Sequence, residues 1–266
     1  MNIPRFAVII TAAGSSERFN KGREESVKKE YLSIDGHTVL YKATEPFFEL
    51  PGLSAMVVTC PKGSEDETIV ALEDLVDINT LPLLILPGGD TRTESVKKAV
   101  KALASLPIEF DYIAIHDGAR PFVTPELIIN TLATASVVSG AAPAIRVTDA
   151  LKRLGDSGLI EENIDNKQVI RLQTPQIFDS KNLIDAYTSL EDGVCAKDDV
   201  EVYINAGFPC SVVQGSEDNK KITYFKDIPD AEKQIAEYIK AREDGRHSAQ
   251  AVHRMRDLLA SREEEK

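Results

Sequence analysis

The chain has 266 residues, 42% of them hydrophobic, enough to bury the core of one large α/β domain or two small ones. Its 43 acidic residues against 31 Lys and Arg give a formal charge of −12, which argues against broad nucleic-acid binding, since that needs an extended basic face. No stretch is long enough to span a bilayer and no basic segment precedes the short N-terminal apolar run, so the expectation is a cytoplasmic protein with no membrane partner.

The first predicted strand is the apolar run 6–11. It leads into Ala12-Ala13-Gly14-Ser15-Ser16-Glu17-Arg18-Phe19 and then Lys28-Lys29-Glu30-Tyr31-Leu32. Small residues let a backbone wrap closely around a ligand, and the N–H groups of a strand-to-helix turn bind phosphate oxygens. Arg18, Lys21, Arg23, Lys28 and Lys29 gather positive charge in an acidic chain, which points to a focused anion site. The loop lacks the Gly-Lys-Ser/Thr ending of a Walker A motif and the third glycine of a dinucleotide fingerprint. Taken alone, a tight turn with a surface arginine explains it equally well.

Predicted helices at 38–49, 65–76, 91–104, 125–137, 182–190, 198–205 and 229–241 alternate with strands at 55–60, 83–86, 112–116, 141–146 and 210–214. This rhythm predicts an α/β fold with a mostly parallel sheet and helices on both faces. Ligands bind such folds beyond the carboxyl ends of strands. Gly88-Gly89-Asp90-Thr91-Arg92-Thr93-Glu94-Ser95 and His116-Asp117-Gly118-Ala119-Arg120 fall at such ends. Cys60, Cys195 and Cys210 lie too far apart for a metal-ligand or redox motif and read as buried, reduced small hydrophobes. Residues 147–170 break the rhythm and read as a protruding β-arm with a turn at Gly155-Asp156-Ser157-Gly158. Gln173-Thr174-Pro175-Gln176 reads as an ordered corner, and Asn219-Lys220-Lys221 follows the last strand. Residues 1–240 are expected to form one domain. Residues 241–266 are expected to form a helical extension, with Val252, Met255, Leu258 and Leu259 as its apolar stripe.

These motifs, in this order, resemble the 2-C-methyl-D-erythritol 4-phosphate cytidylyltransferases and, more broadly, the pentitol-phosphate cytidylyltransferases. The resemblance implies a Rossmann-like, GT-A-like nucleotidyltransferase fold. It also implies a homodimer whose arm reaches the neighbouring site, with CTP and a polyol phosphate as substrates and Mg²⁺ held mainly through the CTP phosphates. No side chain is assigned as a metal ligand. By the same resemblance Ala12, Ala13, Gly14, Ser15 and Ser16 cradle the CTP phosphates, and Arg18 and Lys29 stabilise the transition state. Gly89, Asp90 and Ser95 surround the cytosine, Asp117 contacts the acceptor hydroxyls, and Lys221 positions the acceptor phosphate. Lys29-Glu30-Tyr31-Leu32 stands where the family has Lys-Gln-Tyr-Leu, which selects Lys29 over Lys28. Asp90 alternatively caps the following helix. His116 reads as structural, because an ionised phosphate nucleophile needs no base.

Three departures fall on the acceptor side. Asn166 takes the place of the family's arm arginine, and Ala150 and Lys197 take the places of two threonines. Either Lys167, Arg171 or Lys197 supplies the missing contacts to 2-C-methyl-D-erythritol 4-phosphate, the favoured reading, or the acceptor is another polyol phosphate such as ribitol 5-phosphate. A nucleotide-binding module without turnover is the alternative from another class.

Overall fold

Alternate residues of Phe6–Thr11 (β1) face opposite sides of a sheet, with Phe6, Val8 and Ile10 in one core and Ala7 and Ile9 in another, all fully buried. The computed structural model describes residues 3–24, 26–76 and 81–243. Eleven further strands follow among them: β2 (Ser33–Ile34), β3 (His37–Thr38), β4 (Leu53–Cys60), β5 (Leu83–Pro87), β6 (Tyr112–Asp117), β7 (Gly140–Arg146), β8 (Leu151–Leu154), β9 (Ile160–Ile164), β10 (Ile170–Leu172), β11 (Gln176–Asp179) and β12 (Ser211–Gln214). The helices are α1 (Glu17–Asn20), α2 (Val39–Phe48), α3 (Glu65–Ala71), α4 (Glu73–Val76), α5 (Arg92–Ala104), α6 (Pro125–Val138), α7 (Ser180–Ser189), α8 (Asp199–Asn205) and α9 (Ala231–Glu243).

Strands β5, β4, β1 and β6 pair in parallel and form the centre of the sheet. Continuous apolar runs such as Val57-Val58 suit strands covered on both faces. Beyond β6 the sheet turns antiparallel through β11, which also pairs with β7. One edge of β7 carries β11 and β10 end to end, and the other carries β12 in parallel. Helices α2 and α6 cover the Val8 face, and α5, α7 and α8 cover the Ile9 face. Their starts are marked by side-chain caps at Thr38, Thr91, Thr124, Asp179 and Asp198, each accepting a backbone N–H from the first turn.

The structure departs from the sequence reading at several points. β11 is an added antiparallel strand, and the predicted helix 65–76 divides at Leu72, which turns into the core. Cys60 is buried as expected, but Cys210 is half-buried and Cys195 is exposed. The arm is a β8–β9 hairpin that pairs only with itself, closed by Gly155 N–H donating to the Leu159 carbonyl. It leaves Leu154, Leu159 and Ile160 exposed at 67%, 69% and 66%, so the apolar tip of the arm is largely uncovered by its own chain. The expected extension 241–266 lies outside the described residues, apart from the backbone of 241–243 that ends α9. Among the described residues no helix is long and apolar enough to cross a membrane.

The short β11 joins the parallel and antiparallel halves of the sheet, and its Phe178 is fully buried with its ring 4.6 Å from that of Tyr203. Phe178→Ala is expected to lower unfolding stability by about 3–5 kcal/mol, read from the shift in the urea midpoint.

Candidate active site

The carboxyl ends of β1, β4 and β6 open into a cavity of about 510 Å³. Its first wall is the loop leaving β1. Ser16 adopts φ 56°, and its carbonyl accepts the N–H groups of Phe19 and Asn20, which starts α1. Because Phe19 is buried in the core, Arg18 stays exposed and lines the cavity. Asn20 closes the excursion: its amide donates to the carbonyls of Ser16 and Val27 and accepts the Val27 N–H. The chain then returns as a 3₁₀ turn at Lys29–Tyr31, with Lys29 and Glu30 buried against the same cavity. Burial pulls the Lys29 ammonium below its usual range against the attraction of Glu30, and Lys221 and Lys28 add to the lowering.

The second wall is the turn into α5. Thr91 is the cap: its hydroxyl accepts the Glu94 N–H while the Glu94 carboxylate accepts the Asp90 N–H. Asp90 is therefore held by the cap and is not the cap itself. Ser95 accepts the Gly89 N–H and donates to the Thr91 carbonyl, both at 2.9 Å. Its hydroxyl fastens the glycine turn as it lines the cavity, so the expected contact with a base edge would share an oxygen already engaged. A Cβ on Gly88 would lie 2.3 Å from Ala13 Cβ and 2.7 Å from Ser95 Oγ, so glycine alone lets the two loops approach this closely.

Asp117, at the end of β6, forms the floor. Its Oδ2 accepts from Lys221 Nζ at 2.9 Å and Arg120 Nε at 3.3 Å, and its Oδ1 lies 3.6 Å from Arg92 Nε. Burial alone would raise this carboxyl, but the three cations outweigh it and hold it well below the usual carboxylate range. Arg92 is itself gripped by Asp199 through bonds of 3.0 and 2.6 Å. Asp199 also accepts from Tyr187 Oη at 2.6 Å, while the Gln176 side chain accepts its backbone N–H. Arg120 holds the neighbouring loop by donating to the Asn219 carbonyl.

His116 is fully buried. Its Nδ1 lies 2.9 Å from Thr174 Oγ1 and its Nε2 3.2 Å from the Arg120 carbonyl. Because the Arg120 carbonyl can only accept, the ring donates through Nε2, and Nδ1 takes the proton of the Thr174 hydroxyl, which itself accepts the Asp117 N–H. Burial pushes the imidazole down to about 4, so it is a neutral strut at neutral pH.

The cavity thus unites Ala13, Gly14, Ser15, Ser16, Arg18, Lys29, Gly89, Asp90, Ser95, Asp117 and Lys221 of the residues singled out by sequence. Ala12 is placed behind the loop instead, with its N–H donating to the Thr59 carbonyl. Asn166 and Lys197 do not line it. Asn166 sits on the arm and donates to the carbonyls of Thr148 and Asp149, and Lys197 is exposed just ahead of α8. A second cavity of about 650 Å³ shares Lys221 and Thr223 with the first and includes Arg120, Arg171 and Lys220. Arg171 there pairs with Glu217. Sequence reasoning missed Asp199 and Tyr187; the capping spacing of Thr91 and Glu94 was the available signal for the cap.

The profile of the family described as "IspD: 2-C-methyl-D-erythritol 4-phosphate cytidylyltransferase" matches residues 6–237. The 2-C-methyl-D-erythritol 4-phosphate cytidylyltransferase of Cereibacter sphaeroides is 36% identical over 230 residues, covering 86% of this chain and 96% of that protein. The crystal structure of the enzyme of that name from Thermus thermophilus has a TM-score of 0.64 at 26% identity, covering 84% of this chain and 95% of the other. That of 4-diphosphocytidyl-2C-methyl-D-erythritol synthase from Anaerococcus prevotii has a TM-score of 0.70 at 24% identity, covering 88% and 96%, a likeness of fold.

The histidine strut has a consequence for stability. Between pH 6.5 and about 4 the unfolded chain takes up a proton at His116 that the folded chain refuses, so stability falls as pH falls through that window. The loss is expected to reach about 3 kcal/mol. Urea midpoints measured from pH 7 to pH 4 should show it, with a shallower slope in His116→Gln.

Proposed function

Because the chain belongs to the IspD family of 2-C-methyl-D-erythritol 4-phosphate cytidylyltransferases, we propose that it transfers CMP from CTP to 2-C-methyl-D-erythritol 4-phosphate. The products are 4-diphosphocytidyl-2-C-methyl-D-erythritol, an isoprenoid precursor intermediate, and pyrophosphate. The observation that carries this reading is the convergence of Arg18, Lys29 and Lys221 on one cavity with the Gly14–Ser16 turn.

An oxygen of the acceptor phosphate attacks the α-phosphorus of CTP, and the bond to the bridging oxygen breaks as pyrophosphate leaves. Negative charge gathers on the five-coordinate phosphorus, so fixed cations lower the barrier more than a proton shuttle would. Lys29 and Arg18 supply that charge from the wall facing Asp117. Lys29 is the better fixed, being buried with 8% exposure, whereas Arg18 reaches in from the surface. Lys221, held by Asp117, offers its remaining donors to the acceptor phosphate. The Gly14–Ser16 backbone receives the phosphates and the Gly88-Gly89 turn the base. The acceptor phosphate arrives ionised, and buried His116 takes no part.

Asp117 and Glu30, the buried carboxylates of the cavity, are already committed to cations. The donor set therefore suits Mg²⁺ that arrives on the triphosphate, whose oxygens are the hard ligands it prefers. Bound there, it would neutralise the leaving pyrophosphate.

In this reading residues 1–240 form a cytoplasmic catalytic domain that works as a homodimer. The exposed Leu154, Leu159 and Ile160 of the arm support an intermolecular contact. Asn166 and Lys197, which do not line the cavity of their own chain, would act in the partner's cavity or at the subunit contact.

With Mg²⁺, CTP and a panel of polyol phosphates, the expected outcome is pyrophosphate release fastest with 2-C-methyl-D-erythritol 4-phosphate. Comparable or better turnover of ribitol 5-phosphate would transfer the assignment to that acceptor, as the departures at Ala150, Asn166 and Lys197 allow. CTP binding with no release for any acceptor would indicate a binding module. Arg18→Ala and Lys29→Ala should each lower kcat by roughly 10²-fold or more, the scale of one lost preorganised donor, with CTP affinity less affected.

A further inference from the structure

Residues 13–15 separate the main cavity from a smaller one of about 210 Å³. Consecutive lysines fall on opposite sides of this partition: Lys29 lines the main cavity and Lys28 the smaller one. Lys28 has no place in the chemistry above, yet its side chain is only 9% exposed and that of its ion-pair partner Glu30 only 6%. Long charged side chains are rarely buried without a specific partner. Lys28 Nζ donates to the Gly14 carbonyl and lies 3.4 Å from Glu30 Oε2, and the same carboxylate oxygen accepts from Ser16 Oγ at 3.4 Å. One buried ion pair thus grips the phosphate turn at two points.

In a trans peptide the carbonyl and the next N–H point in opposite directions. The Gly14 carbonyl faces Lys28 behind the turn, so the Ser15 N–H must face forward, into the main cavity. Nothing lies within 4 Å of the place a Cβ on Gly14 would occupy, so the space beside its Cα is open. Glycine also permits the rotation that would turn it over. A reversed peptide would present a carbonyl oxygen to the phosphates and withdraw a donor. We propose that Lys28 and Glu30 form a positioning pair that locks the Gly14–Ser15 peptide with its N–H toward the anion. Glu30 is also where the chain departs from the Lys-Gln-Tyr-Leu pattern, and its charge is what allows an ammonium to be kept in this buried place. The inference rests on the proposed reading only for naming the anion as a triphosphate.

The test is the double variant Lys28→Met with Glu30→Gln. It leaves the net charge near the cavity unchanged, so a loss of anion binding reports orientation and not a weaker field. Calorimetry with inorganic pyrophosphate is expected to show about tenfold weaker binding than in the unaltered protein, the scale of one lost hydrogen bond to a charged group. The KM for CTP should rise by a similar factor while the acceptor KM moves less than twofold. A folded double variant that binds pyrophosphate within twofold of the unaltered protein would overturn the proposal. Should the double variant not fold, the amide resonance of Ser15 in the unaltered protein decides: it must shift on pyrophosphate titration, and its failure to move refutes the lock. Pyrophosphate binding requires no turnover, so an inactive protein whose double variant still loses this affinity would refute the cytidylyltransferase reading and leave the lock standing.

Discussion

A carboxylate buried at the end of a strand must be matched by positive charge, and Asp117 is matched from three separate segments. Arg92 comes from α5, Arg120 from the loop beyond β6, and Lys221 from the segment after β12. Removing one member of such a cluster leaves charge buried without compensation, a large penalty in a low-dielectric setting. The cluster therefore draws the segment after β12 to a strand end 104 residues earlier in the chain and fixes one wall of the cavity. Asp199, Tyr187 and Gln176 extend the constraint to α8, α7 and β11, so Arg92 is held at both ends.

The side of the cavity formed by the loop after β1 is organised on another principle. There the cations are less fully matched: burial disfavours the Lys29 ammonium against the attraction of Glu30, Lys221 and Lys28 add to the cost, and Arg18 stands at the rim. A region that is costly while empty is well suited to an incoming polyanion, since the ligand relieves the repulsion the fold maintains. One half of the site is thus internally saturated and the other is left needing a counter-charge.

Much of this was legible in the order of residues. Runs such as Phe6–Thr11 announced strands buried on both faces, and the break of rhythm after Arg146 announced the arm. The loop, the glycine turn and Asp117 were recognisable because each is local. What escaped was what depends on distant segments meeting. Gln176–Asp179 is too short to stand out as a strand until β6 and β7 flank it. Asp199 follows another aspartate, and only the fold shows that Asp198 caps the helix while Asp199 reaches Arg92. Lys28 and Lys29 differ by one position, and the backbone turn between them decides which cavity each enters. The contacts expected of Asn166 and Lys197 lie off their own chain's cavity, so a single subunit gives them no partner there.

Gly88 gives the cavity an asymmetry under mutation. It already touches the space of Ala13 and Ser95, and every other amino acid is bulkier. Genetic drift at this point can therefore only wedge the two loops apart. The resting gap between them is the minimum that the sequence permits, like a caliper closed to its stop, and any change of cavity shape that begins here has only one direction to travel.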